Sequence, residues 1–465
     1  MSLIIPANSA AAGGGFEATN SLMFNRADGA YLVHTNSGTG DYQQSTFSAW
    51  VKRSSLGTIQ TMWNNQVQAG VNQVRFEFDA ADKIYLYGEE AGGYALRALT
   101  TSVYRDLSAW YHVLVIIDTP QSAAADRIKL YVNGVQVTLT FSTTPAQNAN
   151  LRINYDNTPV SVGSTQASNY LDGYMAEVYW IDGTVYATSD FGEFDEDSGI
   201  WKPIDASGLT FGTNGFYLDF ENSSALGDDA AGSNDFSLNN LAATDQMIDT
   251  CTNNFPTLNI LESSTVRGAN TYSQGNLQVL TPQGESGNTF STVGVSSGKW
   301  YSEFYIKANS GIERSLVGVS GDVGATLSAS NNVGSLSDAR DVGYMGNDGD
   351  KFVSNSESSY GGSAFSIGDV IGVALDLDNN TVNFAQNNSF KGTIAIASTG
   401  TWHMGCGDVS GGIAATIVAN YGQNSSFAGS ITAANETDEH GEGLFKYSPP
   451  SGFITLNTKN LAEYG

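Results

Sequence analysis

The chain has 465 residues, a length that suits roughly two to four domains. Only 14% of them are charged, and 20 Lys and Arg stand against 47 Asp and Glu, for a net charge of −27. That balance, with no cluster of basic residues, excludes nucleic acid as the primary partner and an anionic membrane with it, because phosphate surfaces need basic patches.

The 52 glycines point to many short strands joined by tight turns, since Gly, Asn, Ser and Asp accept the backbone angles that turns require. Residues 1–20 are small and polar and read as an arm. Alternating or continuous apolar runs then predict strands at Phe47–Val51, Arg75–Phe78, Ile84–Tyr87, Trp110–Ile117, Lys129–Val132, Val135–Leu139 and Ala176–Ile181. Asn133-Gly134 between two such runs predicts a tight hairpin, because both residues tolerate positive φ. Short helical turns are expected near Phe191 and Asp245, and no helix longer than about three turns has the 3.6-residue period.

A second series of strands follows at Lys299–Ile306, Leu316–Val319, Asp369–Leu377, Thr381–Ala385 and Thr416–Tyr421. Between the two series, Phe255-Pro256-Thr257-Leu258-Asn259 is echoed by Phe453-Ile454-Thr455-Leu456-Asn457. The two copies read as the closing segments of two modules. The expected fold is all-β: two jelly-roll-like β-sandwich modules with antiparallel sheets, joined by an irregular linker. The expected organisation is an arm at 1–20, a sandwich at 21–190, a connecting segment at 191–265 packing on the first module, a second sandwich at 266–425, and a closing segment at 426–465.

Phe47-Ser48-Ala49-Trp50-Val51-Lys52-Arg53, Trp110-Tyr111-His112-Val113, Leu130-Tyr131-Val132-Asn133-Gly134 and Leu171-Asp172-Gly173-Tyr174 occur in an order that resembles the concanavalin-A-like lectin/glucanase superfamily in its laminin-G/pentraxin-like form. Lys299-Trp300-Tyr301, Val317-Gly318-Val319-Ser320 and Gly368-Asp369-Val370-Ile371-Gly372-Val373 resemble a SPRY domain. The intervening Tyr179-Trp180-Ile181-Asp182-Gly183, Gly199-Ile200-Trp201-Lys202-Pro203 and Gly215-Phe216-Tyr217-Leu218-Asp219-Phe220 resemble virion structural proteins of tailed, especially aquatic, phages. What this last resemblance implies is a tail fibre or other appendage on the virion, made in the host cytoplasm. Its partners would be other virion proteins and a host-surface glycan, and its assembly a homotrimer without membrane insertion. A decoration protein without a receptor and a glucanase-like enzyme are the rival readings.

Glucanases of this superfamily place carboxylates at i, i+2 and i+4 of one strand, where they share a face. Glu77-Phe78-Asp79-Ala80-Ala81-Asp82 begins that pattern, but its last acid falls at i+5, on the other face. Glu193-Phe194-Asp195-Glu196-Asp197 alternates correctly but lies outside the recognised strands. No residue is therefore assigned to catalysis, and no enzyme is expected. His34, His112, His403 and His440 lack metal-ligand spacing, and His112 reads as a core residue. Cys251 and Cys406 are too few and too distant for a disulfide framework and read as buried thiols. No cofactor is expected, with calcium the one ion the loops suit: Asp156 and Asp172 are the candidate ligands, with Asn154 and Asn169 nearby in sequence. Tyr94, Tyr155, Tyr170 and Tyr360 sit in Gly-, Ser- and Asn-rich loops and are the candidate ligand-binding aromatics.

Overall fold

The computed structural model describes residues 15–68, 72–262, 269–282, 287–309, 315–328, 333–408 and 414–465. Strands take up 41% of the chain and helix 6%, which makes the fold all-β. The chain divides between Thr252 and Asn253 into two compact units.

In the first unit two antiparallel sheets face each other. The first runs, in spatial order, Val135–Gln136, Ile128–Val132, Trp110–Asp118, Gln44–Arg53, Gly173–Asp182, Ser21–Phe24 and Gln246–Met247, with Phe216–Leu218 also paired to Gly173–Asp182. The second runs Leu139–Thr143, Gly93–Thr100, Ile84–Glu90, Asn72–Phe78, Gln60–Gln68, Pro159–Val162, Tyr31–Thr35 and Ser237–Asn239. Strict alternation selects what enters the core. Phe47, Ala49 and Val51 come from one sheet, and Val74, Phe76, Phe78, Ile84 and Leu86 from the other. Trp63 stacks on Trp180 across the sandwich at 4.1 Å between ring centroids. Burying side chains of this size contributes about 1.5–3 kcal/mol each.

The expected hairpin forms, with φ 48° at Asn133 and 76° at Gly134 between paired Val132 and Val135. Turns of 3-10 helix occur at Thr188–Asp190 and Ala243–Asp245. The strands Gln60–Gln68 and Gly93–Thr100 are additional to those predicted. Polar residues at both inward and outward positions, among them buried Gln60, Asn64 and Asn65 and half-exposed Arg97, mask the apolar period.

The second unit also holds two sheets. One runs Thr271–Ser273, Gln278–Leu280, Ala415–Asn420, Lys299–Asn309, Val370–Asp376, Thr381–Gln386 and Ser389–Ala395. The other runs Thr289–Phe290, His403–Asp408, Ser315–Ser320, Asp341–Met345, Lys351–Val353 and Ser356–Ser358. Trp300, Phe304, Val317, Ile371, Trp402 and Met404 lie in the core between them.

Three sequence expectations change. The two five-residue echoes do not close two modules. Leu258 and Leu456 lie in the same second-unit core, and Ile454–Thr455 pairs in parallel with Trp300–Tyr301. Each echo supplies one inward Leu, a requirement that one core can impose twice. Residues 1–14 of the expected arm lie outside the described residues, but Ala18 is buried and its carbonyl accepts a bond from the Thr252 hydroxyl at 3.1 Å. Cys406 is buried as expected, whereas Cys251 is half-buried.

Candidate functional site

Each sheet of the first unit has a face turned away from the core, and the two faces differ. The outward face of the first sheet is covered by the segment 191–252. Phe191, Phe211 and Tyr217 pack on Leu114, Ile116, Tyr179 and Ile181. Trp201 packs on Trp50 and the 133–134 hairpin, where a Cβ on Gly134 would stand 2.3 Å from the indole. The Trp201 indole N–H, which can only donate, points at Nδ1 of His112 at 3.0 Å. Nδ1 is therefore the acceptor, and Nε2 carries the proton and meets the Ser48 hydroxyl at 2.8 Å. Burial pushes the His112 pKa down to about 3.

Charges under this cover are paired. Lys52 meets Asp249 at 2.7 Å with both side chains buried, and burial lowers the Lys52 pKa against the pull of Asp249. Glu177 sits at a β-bulge with φ 51° and accepts the hydroxyls of Tyr179 at 2.6 Å and Tyr217 at 2.8 Å. Desolvation outweighs those two bonds and pushes its pKa up to about 7.

Among the described residues, the outward face of the second sheet carries no such apolar cover: Thr61, Asn64, Glu77 and Ser161 are buried on it, but Arg75, Tyr85 and Arg97 are part-exposed. Its side chains form cross-strand rows. One row is Asn64, Arg75, Tyr87, Arg97 and Thr143; the next is Thr61, Glu77, Tyr85, Leu99 and Thr140. Arg75 lies over the Tyr87 ring at 4.0 Å and meets Glu77 at 2.9 Å. Arg97 donates from Nε to the Tyr85 hydroxyl at 2.8 Å and lies over the Tyr94 ring at 4.5 Å. A bulge makes the second contact: Gly88 pairs with Leu96 but Glu89 with Tyr94, so Ala95 is the extra residue. That one-residue slip turns Tyr94, 55% exposed, towards Tyr87 and Arg97. A cleft of about 570 Å³ opens here, with Arg75, Glu77, Asp79, Tyr85, Arg97 and Thr140 on its walls and Ile59 and Leu99 as its apolar part.

The residues singled out in the sequence do not converge on one place. Tyr94 borders this face, in the strand Gly93–Thr100 rather than in a loop. Tyr155 stacks on Tyr42 at 3.8 Å under Arg152. Tyr170 lies by Tyr31, at 6.2 Å between ring centroids. Tyr360 belongs to the second unit and lies, as expected, in a loop, between Ser356–Ser358 and Val370–Asp376, but it is not exposed. It is buried in the core, where its hydroxyl accepts the Phe384 amide at 3.1 Å and donates to the Gly392 carbonyl. An Asn- and Gly-rich neighbourhood marks a turn but not the direction of the ring beside it.

The calcium candidates are also separated. Asp156 precedes the strand Pro159–Val162, while the Leu171 amide beside Asp172 bonds to Gly163 after its end. Asn154 is fully engaged, donating to the Asp41 carbonyl and the Ser45 hydroxyl and accepting the Trp180 indole at 2.7 Å. Among the described residues, Asp348, Asp350 and Glu357 bring carboxylates together at the surface of the second unit.

Glu77 and Asp79 both reach the cleft. Glu77 is 1% exposed and held by Arg75 and Thr61, and burial raises its pKa. One Asp79 oxygen accepts the amides of Ala81 and Lys83, capping the turn. Asp82 faces away, bonded to Arg53 at 3.1 Å and Arg105 at 2.8 Å, from a turn after the strand has ended at Phe78, where its φ is 63°. Glu193 lies in a short strand, Gly192–Phe194, rather than outside regular structure, and Asp195 bonds Ser198 and Lys202.

Residues 25–188 match the model of the concanavalin A-like lectin/glucanases superfamily, and residues 292–402 match that of the SPRY domain. The open cleft lies within the residues that match the first of these models. Among solved structures, the SPRY domain of human HERC1 is similar at 20% identity, with 34% of this chain and 94% of that one covered and a TM-score of 0.28. A protein of Bacteroides ovatus assigned to carbohydrate binding is similar at 15% identity over 48% of this chain and 59% of its own length, with a TM-score of 0.34. A pentraxin of Limulus polyphemus is similar at 11% identity over 37% of this chain and 80% of that one, with a TM-score of 0.29. No curated protein sequence matches the chain.

Proposed function

We propose that the chain is a saccharide-binding protein whose site is the open face of the second sheet of the first unit. The observation that carries this is the cleft itself. Fixed Arg, Glu, Thr and Tyr polar groups stand beside Ile59 and Leu99, the mixture that hydroxyls and the C–H face of a sugar ring require. Tyr94, Tyr85 and the two arginines are held by one another before any ligand arrives, which lowers the ordering cost of binding.

The reading extends to the particle. The chain serves as an appendage of a tailed-phage virion, assembles as a homotrimer beside other virion proteins, and holds a host-surface glycan by many weak sites at once. It turns over no substrate. What supports this is that both cleft carboxylates are already occupied, Glu77 by Arg75 and Asp79 by its own turn. The glucanase reading rests on the same two residues, since Glu77 and Asp79 share one strand face.

Binding of the full chain to an immobilised glycan panel tests the proposal. Wild type is expected to retain one class of glycan, and Tyr94→Ala to weaken retention about tenfold, a typical loss for an aromatic contact. Retention by no glycan overturns the binding reading, and release of reducing ends that vanishes in Glu77→Gln establishes the enzyme instead. Immunogold labelling of particles tests the virion assignment, and light scattering at micromolar concentration the trimer.

A further inference from the structure

Arg97 differs from most described arginines of the first unit. Arg53, Arg75, Arg105 and Arg152 each lie within salt-bridge distance of a carboxylate, and Arg127 donates to three backbone carbonyls. Arg97 has neither. Its Nε is taken by the Tyr85 hydroxyl and its plane rests over Tyr94, but its two terminal nitrogens have no partner among the described residues. In a chain of net charge −27, acids to pair with it were abundant. The cleft carboxylates do not supply the pair, because Glu77 is bound to Arg75 and an Asp79 oxygen to two amides.

We infer that the cleft takes an acidic saccharide, and that Arg97 receives the carboxylate of a uronic acid residue on its two terminal nitrogens. The inference rests on the saccharide-binding reading and narrows it. With Nε occupied, the end-on pair of N–H groups is what remains of the fork, and a planar carboxylate matches that pair with two parallel bonds. Tyr85 completes the arrangement. Its oxygen accepts from Arg97, so its own proton is free for a sugar hydroxyl. Ile59, 37% exposed, and Leu99 offer the apolar patch for the ring.

The test compares short oligogalacturonates with the same oligosaccharides after reduction of their carboxyl groups, and with sulfated galactans, by calorimetry on the full chain. Wild type is expected to bind the uronate about tenfold more tightly than its reduced form, the worth of one charge-assisted pair. Arg97→Gln should bring that ratio to about one. Arg97→Lys, which keeps the charge but loses the fork, should leave a ratio between the two, and it decides the matter if Arg97→Gln does not fold. Equal binding of acidic and reduced forms, both weakened by Tyr94→Ala, would leave the saccharide reading standing and overturn the uronate. Tighter binding of sulfated than of carboxylated sugar would overturn the carboxylate assignment. Binding of none of the saccharides overturns both readings.

Discussion

The two outward faces of the first unit come from strands of the same kind, with one residue in two turned from the core. On the first sheet those residues are Trp50, Lys52, Trp110, His112, Tyr179 and Ile181, and the segment 191–252 buries them. On the second they are Arg75, Glu77, Tyr85, Tyr87 and Arg97, which neutralise and stack on one another; Glu77 and Tyr87 are buried, while Arg75, Tyr85 and Arg97 stay part-exposed on the wall of a cleft. On the covered face most polar groups are paired, because each was removed from water, although the Asn214 side-chain oxygen in the covering segment has no partner among the described residues. On the open face Arg97 keeps its two terminal nitrogens unspent among the described residues, which is tolerable only where solvent or a ligand reaches them.

The contrast can be broken most severely from the covered side. Trp201→Ala removes the indole that lies on Trp50, His112 and Gly134 and leaves His112 Nδ1 without its donor. It should destabilise the first unit by about 3–5 kcal/mol in denaturant unfolding. Asp249→Asn leaves the Lys52 ammonium buried without a counter-charge, at a similar cost of about 3–5 kcal/mol. The double variant Lys52→Met/Asp249→Leu should recover part of it, since the pair itself gains little over apolar packing but the Trp110 indole N–H loses its Asp249 acceptor.

A smaller effect separates the faces by pH. The Glu177 carboxyl is held near pKa 7 in the fold against an ordinary value of 4.5. A folded pKa above the unfolded one means the fold binds the proton more tightly. Its contribution is therefore complete below about pH 4.5 and is lost as the pH rises through 7. Glu303 in the second unit is raised to about 7 by the same cause. It accepts the amides of Lys446 and Tyr447 and the Tyr301 hydroxyl, and should act in the same window. The melting temperature of wild type should fall across that window, and Glu177→Gln should flatten the part of the fall that belongs to the first unit. On the open face, Tyr94→Ala should change stability by no more than about 0.5 kcal/mol while weakening binding. A large loss of stability there would mean that the face is packed rather than presented.

Much of the open face was already written in the alternation of two strands. Arg75 and Glu77 flank Phe76, and Tyr85 and Tyr87 flank Leu86, so the period of two sets them opposite the core without any knowledge of the fold. The same period argued against a carboxylate triplet with Asp82; Asp82 does turn to Arg53 and Arg105, but from a turn beyond the strand end at Phe78, so the turn and not the period sets its direction. Asn133-Gly134 carried its own hairpin, because positive φ is a local property of those two residues.

Whatever depended on contacts between distant segments was decided by the tertiary structure. Tyr94 and Tyr360 look alike in sequence, each beside glycines, yet one is 55% exposed and the other holds Phe384 and Gly392 together in a core. Asp156 and Asp172 look like neighbours in a loop-rich stretch, but the strand Pro159–Val162 lies between them. The echo of Phe255–Asn259 in Phe453–Asn457 suggested two modules, and both copies serve one core. Arg97 joined Arg75 only through cross-strand register, and Tyr94 joined them only through the bulge at Ala95. Local alternation determines which side of a strand a residue takes. Register, bulges and covering segments determine what stands beside it, and these arise from hydrogen bonds between residues that the sequence keeps far apart.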